Sequence, residues 1–327
     1  MRSNELRSGL ISPAAMARLD AVADILSPDV LTEFDSPRAR AVLAQATVLL
    51  TGWGCPMIDA TVLDAAPDLA LIAHAAGSVK SHVAADCWDR GVRITTAAQA
   101  NAVPVAEYTL GFILLAGKNV FIEQHRQRLG QSTYYKDHLA GDVGNLGGTV
   151  GIIGASRIGR LVLELLRPYS LNVLLADPTL TTAEAAELGA ELVSLEDLMR
   201  RSRVVSLHAP ILPSTIGMIG AAELAGMGDG ATFINTARGV LVDHDALRAE
   251  LVTGRINAVL DVTAPEPLPD GDPLYTLPNV ILTPHIAGSL GNELVRMGDL
   301  AVDEVELLAR GEDAGYAITR EVLAAMA

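Results

Sequence analysis

From residue 149 onward the chain alternates strand-length apolar runs with helix-length stretches, and this alternation limits its possible folds more than any other feature. The runs are "TVGIIG", "NVLLAD", "VVSLH", "ATFINTA", "INAVLDV" and "NVILTPH". Near-continuous apolarity marks strands buried on both faces, hence a parallel sheet covered by helices. The helices between have readable ends: Ser194 can cap "LEDLMRRS", and Gly254 closes "HDALRAELVTG" where a left-handed turn is needed. About six such strands with right-handed crossovers make two mononucleotide-binding halves, the doubly wound arrangement.

Upstream, "ATVLLTGWG", "LALIAHAAG" and "VRITTA" read as three more buried strands separated by helical segments, a second and smaller α/β unit with its own core. The long amphipathic stretch "ELVRMGDLAVDEVELLARG" near the C-terminus has no strand left to pair with and is long enough to return to that first unit. At 327 residues two domains are the natural expectation, the smaller one discontinuous if this stretch returns to it. The chain opens with the helix-like "SPAAMARLDAVADIL" rather than an apolar strand. Either the smaller sheet is one strand short or the start site is misplaced.

Half the residues are hydrophobic and 19% are charged, which excludes disorder. A formal charge of −15 with no dense Lys/Arg run argues against nucleic acid and anionic membranes as partners. Cys55 and Cys87 form neither a CxxC pair nor a metal-ligand spacing with histidine, so no disulfide scaffold and no metal site is expected, and a reducing cytoplasm fits. The start lacks the apolar core of an export signal, and "VPVAEYTLGFILLAG" is too short for a membrane span and holds Glu107. It reads as a helix buried in a core or a subunit interface.

The stretch "TVGIIGASRIGRLV" has the form of a dinucleotide-binding turn. Gly154 ends a strand, Gly159 lies in the first turn of the next helix, and Asp177 ends the following strand at the spacing of a ribose-binding acid. A pyrophosphate would meet free backbone N–H groups at the positive helix end. The charge of Asp177 would repel a 2′-phosphate, and "PTLTT" after it offers no cation to reverse this, so NAD is favoured over NADP. Ser156 stands where the fingerprint wants its second glycine; its side chain takes up room, and its hydroxyl can instead cap the helix or touch phosphate.

Ligands of an open α/β sheet lie beyond the carboxyl ends of its strands. There the chain places His208 and Pro210 in "SLHAP", Arg238 in "INTARG", Asp261 and Glu266 in "LDVTAPEP", and His285 in "TPHIAGS". An arginine, a carboxylate and a histidine suit one chemistry in particular. Arg238 can grip a planar carboxylate bidentately and polarise the adjacent carbonyl, while His285 gives or takes the hydroxyl proton as hydride moves. Glu266 beside His285 would favour the imidazolium.

In order and spacing, "GIIGASRIGR", the "AD" strand end, "HAPILPSTIGMI", "INTARGVLVD", "LDVTAPEPLP" and "ILTPHIAGS" resemble the D-isomer-specific 2-hydroxyacid dehydrogenases, which include phosphoglycerate and glycerate/hydroxypyruvate dehydrogenases. The resemblance runs over roughly residues 40 to 310. It implies an NAD-dependent oxidoreductase interconverting a 2-oxo acid and a D-2-hydroxy acid. It also implies a Rossmann-type cofactor domain over 101–290, a smaller, discontinuous, flavodoxin-like substrate domain over 1–100 plus 291–327, hinges near residues 100 and 290 about a cleft, and a homodimer built largely on the cofactor domain. Arg238, Glu266 and His285 match the catalytic set. Gly154, Ser156, Arg157, Ile158, Gly159, Asp177, His208, Ala209, Pro210, Thr215, Thr236, Ala237, Asp261 and Gly288 match cofactor contacts.

The loop that in the family reads like GxGxDxxD here reads "AAGSVKSHV", keeping Gly77 and losing the aspartates. The resemblance implies that backbone N–H groups of Ala76, Gly77, Ser78 and Val79 hold the substrate carboxylate. Read by themselves, Lys80 and His82 offer positive charge for an acidic substituent on the substrate, against the simpler alternative of a solvated lysine. Side-chain selectivity falls to this loop, Trp53, Tyr134 or Tyr135. A rival reading is an NAD(H)-binding regulatory or scaffolding protein on the same fold, which would keep the dinucleotide turn and could lose the triad.

Overall fold

The computed structural model of the chain describes residues 1–131 and 143–325; Tyr134 and Tyr135 lie outside the described residues. The chain divides into two compact units, Met1–Asn101 with Ser289–Met326, and Ala102–Gly288.

In the second unit seven strands form one fully parallel sheet: β4 (Thr149–Ile153), β5 (Asn172–Ala176), β6 (Glu191–Leu192), β7 (Val204–Leu207), β8 (Thr232–Asn235), β9 (Asn257–Leu260) and β10 (Val280–Leu282). Their order is β10-β9-β8-β7-β4-β5-β6, so the chain reverses direction across the sheet between β4 and β7, the switch point at which such folds open a crevice. All six strands read from apolar runs are present. The seventh, β6, has two residues, too few to show any periodicity.

Side chains alternate between two cores, as a strand period of two requires. Val205, Leu207, Phe233 and Leu260 enter one, with Leu198, Leu224 and Leu247 from covering helices. Val150, Ile152, Ile234 and Val259 enter the other, with Ile113, Val162 and Leu166. Each fully buried aliphatic or aromatic side chain of this kind contributes about 1.5–3 kcal/mol. Ser194 caps the helix Leu195–Arg201 by accepting from the Asp197 amide, and Gly254 closes His244–Val252 with φ +72°.

In the first unit β1 (Val48–Thr51), β2 (Leu71–His74) and β3 (Arg93–Thr96) form a parallel sheet in sequential order. Leu71 and Ala73 face a core shared with the helices Asn4–Leu10, Pro13–Val22 and Leu294–Ala309, while Ile72 and Ile94 face another. The helical start expected from "SPAAMARLDAVADIL" forms as Pro13–Val22, capped by Ser12. No single helix among the described residues is long and apolar enough to cross a membrane; Ala98–Ala116 and Val120–Arg128 pass that test only as a pair bent by 60°.

Candidate functional site

The turn after β4 is built by close approach of backbone. Gly154 has φ +92°, and a Cβ there would stand 2.8 Å from the Ala209 nitrogen. A Cβ on Gly159 would run into the Gly154 carbonyl oxygen and lie 3.3 Å from the His208 Cβ. Only glycine lets the helix Arg157–Leu166 begin this close to β4 and to the loop after β7. Ser156 is the N-cap of that helix, with φ −63° and ψ 179°, and its hydroxyl accepts from the Gly159 amide at 3.4 Å. The Arg157 and Ile158 amides, first in the helix, have no partner among the described residues. Free N–H groups at a helix N-terminus, over a floor a methyl group would fill, fit a pyrophosphate.

At the end of β5, Asp177 accepts from the Ala155 amide at 2.7 Å, and from the Thr179 amide and hydroxyl at 2.9 and 2.6 Å. Burial pushes this carboxyl up, but the hydrogen bonds from Thr179 and Ala155 together with Arg160 outweigh it, so it lies below its ordinary range and stays charged. Beyond β7, His208 is buried, its Nε2 2.9 Å from the Ser206 hydroxyl, and burial pushes it down to about 3. The Thr215 hydroxyl pins the loop that follows, donating to the Pro210 carbonyl and accepting from the Leu212 amide.

The ends of β8 and β9 use one device twice. Asn235, wholly buried, accepts the Ala237 amide at 3.0 Å and donates to the Arg238 carbonyl at 3.0 Å, folding back the turn that contains Thr236, Ala237 and Arg238. Asp261, 2% exposed, accepts from the Thr283 hydroxyl and from the Ile286 and Ala287 amides at 2.7, 2.8 and 2.9 Å, folding back the loop that holds His285 and ends at Gly288. Sequence reasoning missed Asn235 and gave Asp261 a cofactor contact only. The signal it passed over is a short polar side chain as the last residue of a strand or the first after it, here "FIN" and "VLD".

His285 itself has φ 55°, a left-handed conformation uncommon outside glycine, and its amide donates to the Asp261 carbonyl at 2.9 Å. Its Nδ1 lies 2.8 Å from Oε1 of Glu266, both side chains being about half exposed. Since a carboxylate only accepts, Nδ1 is the protonated nitrogen and Nε2 is left to face a ligand. Burial pushes the Arg238 guanidinium down from its ordinary range, while the charge of Glu266 works the other way. Arg238 donates from Nη1 to the Ala237 carbonyl at 2.6 Å.

In the first unit the "AAGSV" loop follows β2. The Ala76 amide is already committed to the His74 carbonyl at 2.8 Å, so three successive amides remain without a partner among the described residues: Gly77, Ser78 and Val79. Behind them His74, 1% exposed, has Nδ1 2.8 Å from the Thr51 hydroxyl, with the His82 ring centroid 5.3 Å from its own. Burial first, and the neighbouring His82 next, push His74 down to about 3. His82 donates from Nδ1 to the Cys55 carbonyl at 2.6 Å.

A doubly wound parallel sheet with a glycine-floored turn and an acid at the end of the next strand defines a dinucleotide-binding α/β protein. Residues 110–287 match the family model "D-isomer specific 2-hydroxyacid dehydrogenase, NAD binding domain". A D-3-phosphoglycerate dehydrogenase from Mycobacterium bovis is 34% identical over 279 residues, 85% of this chain and 52% of that protein. A glyoxylate reductase from Aeropyrum pernix is 31% identical over 325 residues, 96% of this chain and 95% of its own length. The crystal structure of a phosphoglycerate oxidoreductase from Rhizobium etli superposes with a TM-score of 0.80 at 27% identity, covering 98% of this chain and 96% of the other. The chain spans about half the length of the phosphoglycerate dehydrogenases it matches. It belongs to the D-isomer-specific 2-hydroxyacid dehydrogenase family, and its cofactor is NAD.

Proposed function

We propose that the chain is an NAD-dependent oxidoreductase interconverting a 2-oxo acid and the corresponding D-2-hydroxy acid. The observation that supports this most directly is the 2.8 Å His285–Glu266 pair, held at the strand ends with Arg238 subject to the charge of Glu266. NADH, which the Arg157 and Ile158 amides and Asp177 would hold, would supply the hydride for the carbonyl carbon. His285, as the imidazolium with Nδ1–H on Glu266, donates its Nε2 proton to the carbonyl oxygen, which completes the hydroxyl and leaves the neutral ring, and takes it back in the reverse direction. Glu266 fixes the tautomer and stabilises the ring while it is charged. Arg238 binds the carboxylate and polarises the carbonyl beside it. The Gly77, Ser78 and Val79 amides are N–H donors of the kind that suits a carboxylate. Asp177 takes the adenosine ribose hydroxyls and disfavours a 2′-phosphate. Met1–Asn101 with Ser289–Met326 acts as the substrate domain and Ala102–Gly288 as the cofactor domain. The protein works in the cytoplasm and as a homodimer; exposed Leu115, Val120 and Leu129 in the cofactor unit lend support to the dimer.

Steady-state kinetics with NADH titrations separate these roles. His285→Ala lowers kcat by at least about 100-fold while the NADH Kd changes less than about twofold. Arg238→Lys raises KM for the oxo acid more than it lowers kcat, because a point charge replaces a fork. A His285→Ala enzyme keeping more than about a tenth of its rate would remove His285 from the acid–base role.

A further inference from the structure

Adjacent residues of the Ala98–Ala116 helix, Tyr108 and Thr109, each reach one of the loops bearing the proposed reaction residues. Thr109 is fully buried, its Oγ1 3.0 Å from that of Thr236, two residues before Arg238. Tyr108 Oη lies 2.7 Å from Thr283 Oγ1, two residues before His285. Proton counting fixes the direction of this second contact. A hydroxyl has one proton, and that of Thr283 goes to Asp261 Oδ1, 2.7 Å away. Thr283 Oγ1 therefore accepts from Tyr108. Burial pushes the Tyr108 phenol up from its ordinary range, and the charge of Asp261 works the same way, so it remains a donor. The remaining acceptor capacity of Asp261 holds the Ile286 and Ala287 amides, and its carbonyl holds the amide of left-handed His285. Such a conformation persists only where surrounding structure fixes it.

The geometry points to Tyr108 and Thr109 as positioning residues: Tyr108, through Thr283 and Asp261, holds the His285 loop, and Thr109, through Thr236, holds the Arg238 turn. This rests on the reading of Arg238 and His285 as the reaction residues. It places the control of both loops on one helix, outside the strand ends that the sequence motifs mark.

Residue-resolved amide exchange on the full-length protein, combined with steady-state kinetics, tests it. Tyr108→Phe removes only the hydroxyl. The Ile286 and Ala287 amides then exchange roughly five- to tenfold faster and kcat falls by a similar factor, with the NADH Kd within about twofold. Thr283→Val reproduces this, Thr283→Ser restores it, and the Tyr108→Phe/Thr283→Val pair is no worse than either change alone, because both cut one chain. Thr109→Val gives the same order of acceleration at the Ala237 amide and raises KM for the oxo acid. Unchanged exchange at Ile286 and Ala287 in Tyr108→Phe overturns the proposal, as do effects of Tyr108→Phe and Thr283→Val that add. If exchange responds as described and no 2-oxo acid turns over in the wild type, the positioning role stands and the functional reading falls.

Discussion

Ser156 sets the terms of the cofactor turn at the scale of single residues. Its backbone is extended and its hydroxyl caps the following helix, while Gly154 and Gly159 supply the two close approaches that exclude a Cβ. The close packing therefore depends on those two glycines and not on a third. Ser156→Gly loses a few tenths of a kcal/mol of stability with the cap, and the NAD Kd moves less than about threefold. A Kd about tenfold tighter in calorimetric titration would show instead that the hydroxymethyl group crowds the phosphate. The placement of Arg238, Glu266 and His285 beyond strand ends was legible in the sequence because each follows a distinct apolar run. Asn235, Tyr108 and Thr109 were not. They act on backbone or hydroxyl groups, and the helix residues do so across 127 and 175 positions of chain, a separation at which no local pattern records a contact.

Among the elements, the six longer strands of the larger sheet were legible as apolar runs, most clearly β4, β7, β8 and β9, which are buried along nearly their whole length. The two-residue β6 and the short helix Asn4–Leu10 were not, since neither is long enough to show a period. That helix nonetheless packs tightly. A Cβ on Gly298, within Leu294–Ala309, would run into the Leu10 carbonyl, so the two helices approach at backbone distance. Gly298→Ala forces them apart and costs about 1–3 kcal/mol, despite the higher helix propensity of alanine. Urea unfolding reads this as a lower midpoint with an unchanged slope. A midpoint equal to or above that of the wild type would contradict the close approach.

For the whole molecule, the most deeply buried histidine of each unit, His74 in the first and His208 in the second, is pushed down to about 3 from 6.5. The unfolded chain protonates these rings below about pH 6.5, whereas the folded chain does not until about pH 3, so the stability they contribute is present above 6.5 and lost as pH falls between those values. Each contributes a slope of up to about 1.4 kcal/mol per pH unit across that window. Replacing His208 with Asn should flatten the fall in ΔG of unfolding between pH 6 and 4; an unchanged slope would mean that the ring is protonated in the folded state. The central claim concerns chemistry, and one measurement meets it most directly: NADH absorbance followed with wild-type protein and a panel of hydroxypyruvate, glyoxylate, pyruvate and bulkier 2-oxo acids, with the configuration of any chiral product determined. Oxidation of NADH with at least one of them, giving the D-2-hydroxy acid wherever the product is chiral, is the result expected. Tight NADH binding with no turnover across the panel, or an L product, would contradict it.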